Sequence, residues 1–437
     1  MNIGIIGGGL AGLSAAYELS KKGHQVAVFE KEAELGGQVA TFEVGGERLE
    51  RFYHHIFSSD VDIIRLVDEL GLSQKLVWLD SRVGFLHQGR IYDFGTPWHL
   101  LKFRPVSLID RARLGLVSLY LRRYKNWPHL EGITAQGWIT KYTGRHNYEV
   151  VWGPLLKGKF GASSDEISMV WLWGKVHLRL GSRAKGKERL GYLQGSFGVM
   201  VDALQERILD AGGRIYTSSP VSKIVVQDEK AVGLEVGERV HPFDAIVATV
   251  PSPAFLNMVP QMPADYAAKL EGVCYQAAIC LVLTLKKPLS HIYWLNISDP
   301  AIPFVAVIEH TNFVAADNYG GKRIVYLSNY VAKDSPLYQL DANGLLDHYL
   351  PHLRKINPEF DASWIEERHL FREEAGQPII TKDYSSRIPE HQTPISRLYL
   401  ANTTQIYPED RGMNYSVGLG LKISRIVTGE VEFPGAS

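Results

Sequence analysis

The alternation of apolar and polar positions is most regular in residues 2–31, where it predicts a strand, a helix and a second strand. Residues 2–6 form a short apolar run, residues 13–22 repeat apolar side chains at helical spacing, and residues 25–29 are again apolar. Short apolar runs bounded by turn residues are typical of buried strands. The glycine-rich segment 7–12 separates the first run from the helix, so we expect it to form a tight turn.

The same criteria predict elements along the rest of the chain. Strands are expected at residues 41–49 (a hairpin), 76–79, 83–87, 90–94, 214–216, 220–227, 231–235, 243–251, 273–285, 304–309, 324–331 and 397–402. Helices are expected at residues 59–70, 108–124, 169–180, 199–211, 341–353 and 414–429. Ser59, Ser107 and Ser163 each precede an acidic residue by one helical turn, and this spacing predicts that they cap the helices that follow.

The glycine turn carries a chemical motif. Gly7, Gly9 and Gly12 fit the pattern G-x-G-x-x-G, in which the glycines permit the turn, the approach of a pyrophosphate and the packing of helix on strand. The helix after the turn offers unpaired N–H groups and a positive dipole end to that anion. Glu30 ends the second strand, where a carboxylate accepts hydrogen bonds from ribose hydroxyls. The segment therefore predicts a dinucleotide-binding fold.

Composition narrows the class of protein. The chain has 437 residues, more than a single core usually serves, so two or three domains are expected. Its 47 basic and 47 acidic residues balance, which leaves no overall field to attract nucleic acid. A hydrophobic content of 45% and a charged content of 22% are ordinary for a soluble globular protein. No apolar run is long enough to span a membrane.

Two further patterns exclude a disulfide and a nucleoside triphosphate site. Cys274 and Cys280 lie in one predicted strand at a separation of about 20 Å, which excludes a disulfide between them. The near-absence of cysteine suits a reducing cytoplasm, and the first strand begins without room for a signal peptide.

Residues 153–159 match most of a P-loop, but Phe160 supplies no hydroxyl for magnesium and no strand leads into the segment. We therefore reject a nucleoside triphosphate site there.

Residues 105–125 are predicted to hold a helix with a broad apolar face and a basic edge. The basic residues are Arg111, Arg113, Arg122, Arg123 and Lys125. Two interpretations fit this pattern: a lid helix packed on the domain, or a helix that lies on a membrane surface or on a greasy substrate. The expected location is therefore the cytoplasm, either in solution or in peripheral contact with a membrane through this helix.

Five stretches spread over the whole chain share a pattern. They are the N-terminal turn through Glu30, the segment Leu35-Gly36-Gly37, and residues 195–198, 220–251 and 400–418. In this combination the chain resembles the flavin-dependent superfamily of monoamine oxidases, protoporphyrinogen oxidases and phytoene desaturases. The resemblance implies an FAD-dependent oxidoreductase.

The resemblance also implies a fold. We expect an α/β protein with a Rossmann-like FAD-binding domain built from separated segments, plus a mixed-sheet substrate domain with a helical lid subdomain. The FAD-binding domain would comprise residues 1–75, 190–265 and 391–437. Residues 76–189 would form the helical lid part of the substrate domain, and residues 266–390 would form its sheet.

By matching position, the resemblance assigns FAD contacts along the chain. The glycine turns would hold the pyrophosphate, Glu30 the ribose and the Val221 backbone the adenine, while the start of the last helix would stabilise the negative charge of reduced flavin. The expected cofactor-binding residues are Gly7, Gly9, Leu10, Ala11, Gly12, Glu30, Lys31, Gly36, Gly37, Gln38, Val221, Asn402, Gly412, Met413, Asn414 and Val417. No metal is expected.

Three positions depart from the superfamily pattern. Gln38 replaces an arginine after the glycine pair, so a positive partner for phosphate is missing or comes from Lys31, Arg48 or Arg51. Asn402 replaces an aspartate that often contacts the cofactor, and Gly412 replaces an aromatic residue that cages the substrate amine in amine oxidases. No lysine matches the one that amine oxidases keep beside flavin N5. These departures make amine oxidation less favoured than the superfamily name suggests.

The implied reaction is a two-electron oxidation of a small molecule, in which FAD takes hydride from a substrate C–H bond during oxidation of a C–N or C–C bond or desaturation. The aromatic second sheet and the basic helix favour a large, flat or lipid-like substrate. The candidate catalytic residues are Tyr53, His54, His55 and Asn414, with Tyr407 as a weaker candidate. A structural role for either histidine fits the sequence equally well.

Two other functions stay open on the sequence. His55-Ile56-Phe57 resembles the segment that UDP-galactopyranose mutases place by their flavin, and these isomerases use reduced flavin without net redox change. A protein that holds flavin without turnover is the third alternative. An isomerase would require reduced flavin for turnover, whereas an oxidase would bleach with substrate alone.

Overall fold

A computed structural model describes residues 1–184 and 187–430 of the chain. Residues 185–186 and 431–437, which the predicted segments 76–189 and 391–437 include, lie outside the described residues. The strands are β1 (Asn2–Ile6), β2 (Gln25–Phe29), β3 (Thr41–Val44), β4 (Glu47–Glu50), β5 (Leu76–Asp80), β6 (Val83–His87), β7 (Arg90–Asp93), β8 (Arg183–Ala184), β9 (Lys187–Leu193), β10 (Arg214–Tyr216), β11 (Val221–Gln227), β12 (Lys230–Val236), β13 (Arg239–Pro242), β14 (Ala245–Ala248), β15 (Tyr275–Leu285), β16 (Trp294–Ile297), β17 (Ala306–Glu309), β18 (Arg323–Val331), β19 (Ile365–Pro378) and β20 (Leu398–Leu400). The α-helices are α1 (Leu10–Lys21), α2 (Val61–Glu69), α3 (Pro97–Lys102), α4 (Leu108–Arg123), α5 (Ala135–Thr143), α6 (Arg145–Asn147), α7 (Gly153–Phe160), α8 (Met169–Gly181), α9 (Gly198–Asp210), α10 (Ser252–Met258), α11 (Ala264–Glu271), α12 (Pro336–Gln339), α13 (Ala342–Ile356) and α14 (Met413–Val427).

A five-stranded parallel sheet joins the two ends of the described chain. Its order is β10-β2-β1-β14-β20, and each neighbouring pair is parallel. Residues 3–6 of β1 are buried on both faces, as the continuous apolar run predicted, because parallel strands are covered on both sides. Helices α1, α9 and α14 lie on one face, and the hairpin β11–β12 packs with α10 and α11 on the other. The predicted α/β fold is confirmed.

A seven-stranded mixed sheet forms the second layer, in the order β19-β15-β18-β17-β16-β6-β7. The strands expected around 273–285, 304–309 and 324–331 lie in it, but β16 and β19 were not predicted. Most of β19 mixes partly buried with exposed positions, and its charged residues hid it from a search for apolar runs. β6 and β7 join this sheet from the segment 76–189, so that segment contributes strands as well as helices. The predicted domain boundaries stay a prediction.

The two sheets share one buried core. Its side chains include Ile3 and Leu13 from the parallel-sheet layer and Val282 and Tyr326 from the mixed sheet. The hydroxyl of Tyr326 donates to the backbone carbonyl of Glu50 at 2.7 Å, at the end of the hairpin β3–β4. The predicted hairpin over 41–49 is confirmed, and it ties the first third of the chain to the second sheet.

One of the three predicted helix caps is confirmed. Ser107 caps α4, where its hydroxyl accepts the N–H of Asp110 at 3.2 Å. The prediction for Ser59 is wrong, because α2 begins one residue later with Asp60 at the N-cap. The prediction for Ser163 is also wrong, because residues 161–166 form a short 3₁₀ helix and Ser168 caps α8.

Cys274 and Cys280 are free thiols, as their spacing predicted. Among residues 1–184 and 187–430, no helix combines the length and the hydropathy needed to cross a lipid bilayer.

Candidate active site

Two glycine turns meet at the carboxyl end of β1. Gly7 has a left-handed φ of +104°, and a side chain at Gly12 would place its Cβ 2.0 Å from the Gly7 carbonyl oxygen. The N–H of Gly36 donates to the carbonyl of Gly8 at 2.8 Å, and a Cβ on Gly37 would lie 3.2 Å from the Cα of Gly9. The backbones of both turns therefore form one concave surface at the N-terminus of α1, whose first N–H groups have no side-chain cap.

Glu30 is fixed beside the first turn. Its Oε2 accepts the N–H of Gly8 at 2.7 Å, and its Oε1 accepts the N–H of Glu32 at 2.9 Å. The residue is buried, and each carboxylate oxygen keeps a second lone pair. Lys31 next to it is exposed, with its Nζ 3.6 Å from Glu32. The predicted ribose acceptor thus lies at the concave surface, held by the same backbone that forms the turn.

Helix α14 brings a second uncapped N-terminus toward this surface. Gly412 precedes the helix without a side-chain cap, and Met413 begins it. A Cβ on Gly420 would lie 2.6 Å from the carbonyl oxygen of Ala11, so α14 crosses the start of α1 in close contact. Met413 is two helical turns before that crossing, about 10 Å along the axis. The two helix starts therefore suit the two ends of one elongated ligand.

A cavity of about 490 Å³ opens at the start of α14. Gln38, Tyr53, His54 and His55 line it together with Gly412 and Met413, so the structure brings these predicted residues to one place. Beyond them the lining is mainly apolar and includes Phe85, Leu100, Leu114, Trp171, Val176 and Trp294. The cavity therefore runs from the polar aromatic segment toward α4 and α8.

The polar aromatic side chains are uncharged at neutral pH. His54 Nδ1 donates to the carbonyl of Phe52 at 2.6 Å, and burial lowers the pKa of His54 to about 4. Burial also lowers the pKa of His55 well below its usual value, and its Nδ1 lies 3.3 Å from the hydroxyl of Tyr293. Burial raises the pKa of Tyr53 well above 10. These groups therefore supply hydrogen bonds and ring surface, without charge.

A charged cluster that the sequence analysis did not predict lines the same cavity. The Nζ atoms of Lys159 and Lys175 lie 2.9 and 2.5 Å from the same Asp410 oxygen. Arg411 follows Asp410, and its Nη1 donates to Gln38 Oε1 at 3.1 Å. The cluster combines α7, α8 and the loop before α14, so its members are far apart in sequence.

Part of this cluster had a local signal. Trp171, Lys175 and Arg179 are four residues apart in α8, which places them on one helix face, and all three line the cavity. Lys159 lies at the end of α7, in the segment rejected as a P-loop. That rejection stands, since the segment is a helix, but its lysine reaches the cavity.

Several predicted residues lie elsewhere. Asn414 Oδ1 accepts hydrogen bonds from the backbone N–H groups of Asp62 and Ile63 at 2.9 and 3.1 Å. This side chain therefore links α14 to α2. This placement gives no support to the catalytic role predicted for Asn414. Tyr407 donates to Glu131 at 2.5 Å and is likewise absent from the cavity lining in the described part of the chain.

The remaining predicted cofactor residues lie in the layer around the parallel sheet. Asn402 Nδ2 donates to the carbonyl of Val250 at 3.0 Å beyond β20, and Val221 begins β11. Val417 is buried inside α14.

Two of the candidate phosphate partners already form ion pairs within the protein. Arg48 and Arg51 pair with Asp202 and Glu34, at 2.6 and 2.5 Å respectively.

Comparison with known proteins agrees with this arrangement. The sequence profile of the family described as flavin containing amine oxidoreductase matches residues 10–409. A zeta-carotene desaturase from Capsicum annuum is 23% identical over 301 residues, which are 60% of this chain and 50% of that protein. A mitochondrial protoporphyrinogen oxidase from Nicotiana tabacum is 27% identical over 176 residues, which are 38% of this chain and 34% of that protein. The chain thus spans about half or less of the length of these relatives.

A solved structure of reduced UDP-galactopyranose mutase has a TM-score of 0.77 at 17% identity, over 99% of this chain and 96% of that one. This likeness shows a shared fold. The touching glycine turns, the buried Glu30 and the two uncapped helix starts fit an elongated dinucleotide. The cofactor is FAD. The chain belongs to the family of flavin-containing amine oxidoreductases.

Proposed function

We propose that this oxidoreductase removes hydride from a C–H bond of an elongated, mainly apolar small molecule held in the 490 Å³ cavity. One observation carries the proposal: the apolar cavity begins at the start of α14 and at Tyr53–His55, where the flavin ring of the bound cofactor is expected. When bound, FAD accepts the two electrons of the oxidation.

Backbone and side-chain groups have separate roles in this proposal. The backbone N–H groups at the glycine turns bind the pyrophosphate, and Glu30 accepts from the ribose. The N–H groups at Gly412 and Met413 stabilise negative charge on the ring. His54 and His55, neutral and partly buried, orient the substrate while Trp294 and Phe85 exclude water.

Anaerobic titration tests this proposal. The FAD-loaded protein is mixed with candidate polyenes, porphyrinogens, amines and sugar nucleotides while its flavin absorbance is recorded. A substrate of the proposed kind is expected to bleach the flavin, and air or another acceptor should restore the colour. Turnover of a sugar nucleotide only after reduction with dithionite would establish an isomerase instead. A flavin spectrum that no ligand changes would indicate a binding protein without turnover.

Gly9→Ala is expected to weaken FAD binding while leaving the fold intact. No atom lies within 4 Å of a Cβ built on Gly9, so the methyl group has room in the protein, and the helix start should lose less than about 1 kcal/mol. The methyl group would face the pyrophosphate, which the second glycine of the motif normally lets approach. We expect FAD affinity to fall at least about tenfold, measured by flavin fluorescence, with little change in the thermal unfolding of FAD-free protein. Unchanged FAD affinity would remove Gly9 from the proposed site.

We also propose that α4 contacts a membrane surface. Leu108 and Leu116 are 70% and 68% exposed, and Ile109 is similarly exposed. The opposite side of α4 lines the cavity through Leu114, which is buried, and Ser118, so a membrane at this helix would lie beside the cavity. A shallow basic groove formed by Arg90, Lys102, Arg104 and Arg111 adjoins it and suits anionic lipid headgroups.

Leu116→Glu is expected to weaken binding to vesicles that contain anionic phospholipid by about tenfold or more. The reason is that inserting a leucine side chain contributes about 1.5–3 kcal/mol, whereas a carboxylate is repelled. Co-sedimentation measures the effect. Leu209→Glu is the control, since Leu209 is 46% exposed on α9, away from this surface. Equal loss in both variants, or no vesicle binding by the unaltered protein, would contradict a membrane role for α4.

A further inference from the structure

Two ammonium groups in the cavity share one carboxylate oxygen. Lys159 and Lys175 approach Asp410 Oδ2 at 2.9 and 2.5 Å, while Asp410 Oδ1 accepts the side-chain amide of Gln377 at 2.9 Å. Each ammonium group has three N–H donors, so a single shared oxygen leaves most of them for other partners. The Asp410 carboxylate balances one of the two charges.

Arg411 adds a third positive charge beside this pair. Its guanidinium bonds to neutral groups: Nε donates to Gln377 at 3.1 Å, Nη1 to Gln38 at 3.1 Å and Nη2 to the hydroxyl of Tyr330 at 3.0 Å. Lys159 and Arg411 also lie over the Tyr330 ring, at 5.6 and 5.9 Å from its centroid. Two of the three cations thus lie over the Tyr330 ring, and the Asp410 carboxylate contacts both lysines.

The wider cavity keeps this positive excess. Arg179 also lines it, and the carboxylates of Glu188 and Glu373 line it in addition to that of Asp410. Buried charges without a counter-charge are costly, so a cavity with more cations than carboxylates favours an anionic ligand. Burial lowers the pKa of Lys159, and it lowers the pKa of Lys175 to about 8, which agrees with incomplete compensation by Asp410.

We propose that the substrate carries a carboxylate, which Lys159 and Lys175 bind together with Arg411 at the polar wall of the apolar cavity. This inference rests on the proposed function and names the chemical class of its substrate. An apolar chain with an acidic end would fit both parts of the lining. A neutral hydrocarbon would leave the excess charge unpaired, and an amine would be repelled by it.

Decanoate, decanol and decylamine are suitable probes, because they share a chain and differ in their end group. Binding to the FAD-loaded protein is measured by the flavin difference spectrum and by calorimetry. We expect decanoate to bind at least about tenfold more tightly than decanol, and decylamine to bind more weakly than either. Equal affinities for decanoate and decanol would overturn the inference.

Variants assign the preference to the lysines. Lys175→Gln and Lys159→Gln are each expected to reduce the preference for decanoate about tenfold, and Lys175→Arg should keep most of it. In both glutamine variants Asp410 keeps one ammonium partner and the Gln377 bond, so the fold is expected to persist. Lys157→Gln is the matched control, since Lys157 is exposed on the same helix as Lys159. Loss of the preference in the control as well, or in none of the variants, would overturn the assignment.

The pH dependence of decanoate affinity distinguishes direct binding by Lys175 from a structural role of this residue. Decanoate affinity is expected to be nearly constant near pH 7 and to fall by about tenfold in total between pH 8 and pH 10, the loss expected for Lys175→Gln, since Lys175 then loses its proton. The titratable or charged groups around Lys175 are Lys159, Asp410, Tyr330, Asp60 and His55. An unchanged affinity up to pH 10 would contradict the role of Lys175.

This binding test is independent of turnover. Decanoate binding through the lysines in a protein whose flavin no substrate reduces would refute the proposed oxidation and leave the carboxylate site standing. Flavin reduction by neutral compounds without any preference for carboxylates would support the proposed oxidation and refute the carboxylate site.

Discussion

Replacing Gly12 with alanine is expected to yield a protein that purifies without flavin and unfolds at a much lower temperature. The added Cβ would lie 2.0 Å from the carbonyl oxygen of Gly7 and 2.9 Å from Oγ1 of Thr249. The nearer contact is with backbone, which no rotamer change relieves. Separating β1 from α1 to make room would also open the close contact of α14 with α1. Overpacking typically costs about 1–3 kcal/mol, and a contact with backbone places this case at the upper end.

Absorbance near the flavin maximum and thermal unfolding measure the two effects. Gly181→Ala is the control, because a Cβ at the end of α8 meets no atom within 4 Å. This control should retain flavin and change the free energy of unfolding by less than about 1 kcal/mol. If the Gly12 variant behaved like the control, the packing of α1 on the glycine turn would differ from the structure.

The second large effect is expected from Asp410→Asn. The change removes the carboxylate, itself 6% exposed, that holds Lys159 and Lys175, and it leaves two partly buried ammonium groups without this partner. Breaking a buried ion pair by removing one partner typically costs about 3–5 kcal/mol. We expect a loss of that size in the free energy of unfolding, measured by urea titration at pH 7.

Asp202→Asn provides the matched control. Asp202 pairs with Arg48 at 2.6 Å, but its side chain is 57% exposed, so its loss should cost less than about 1 kcal/mol. Added decanoate should restore part of the stability of the Asp410 variant, because it would supply a carboxylate to the same lysines. Equal stability of the two variants would show that the lysines do not depend on Asp410.

Sequence reasoning succeeded where the signal is local. The parallel strands and glycine turns follow from short apolar runs and from glycines that must adopt φ values such as the +104° of Gly7. It failed where the arrangement depends on contacts between distant segments. Lys159, Lys175 and Arg411 meet only after α7, α8 and the loop before α14 pack together. The charged edge strand β19 was missed because its solvent-facing side chains break the apolar pattern.

The parallel sheet that joins both ends of the described chain has a consequence for biosynthesis. β1 and α1 leave the ribosome before the second sheet, whereas β20 and α14 follow only after the whole second sheet has been translated. Contacts between segments so distant in sequence form slowly. The glycine turn of the nascent chain therefore forms before α14 exists. We expect FAD to make its contacts with both helix starts only after α14 has been translated.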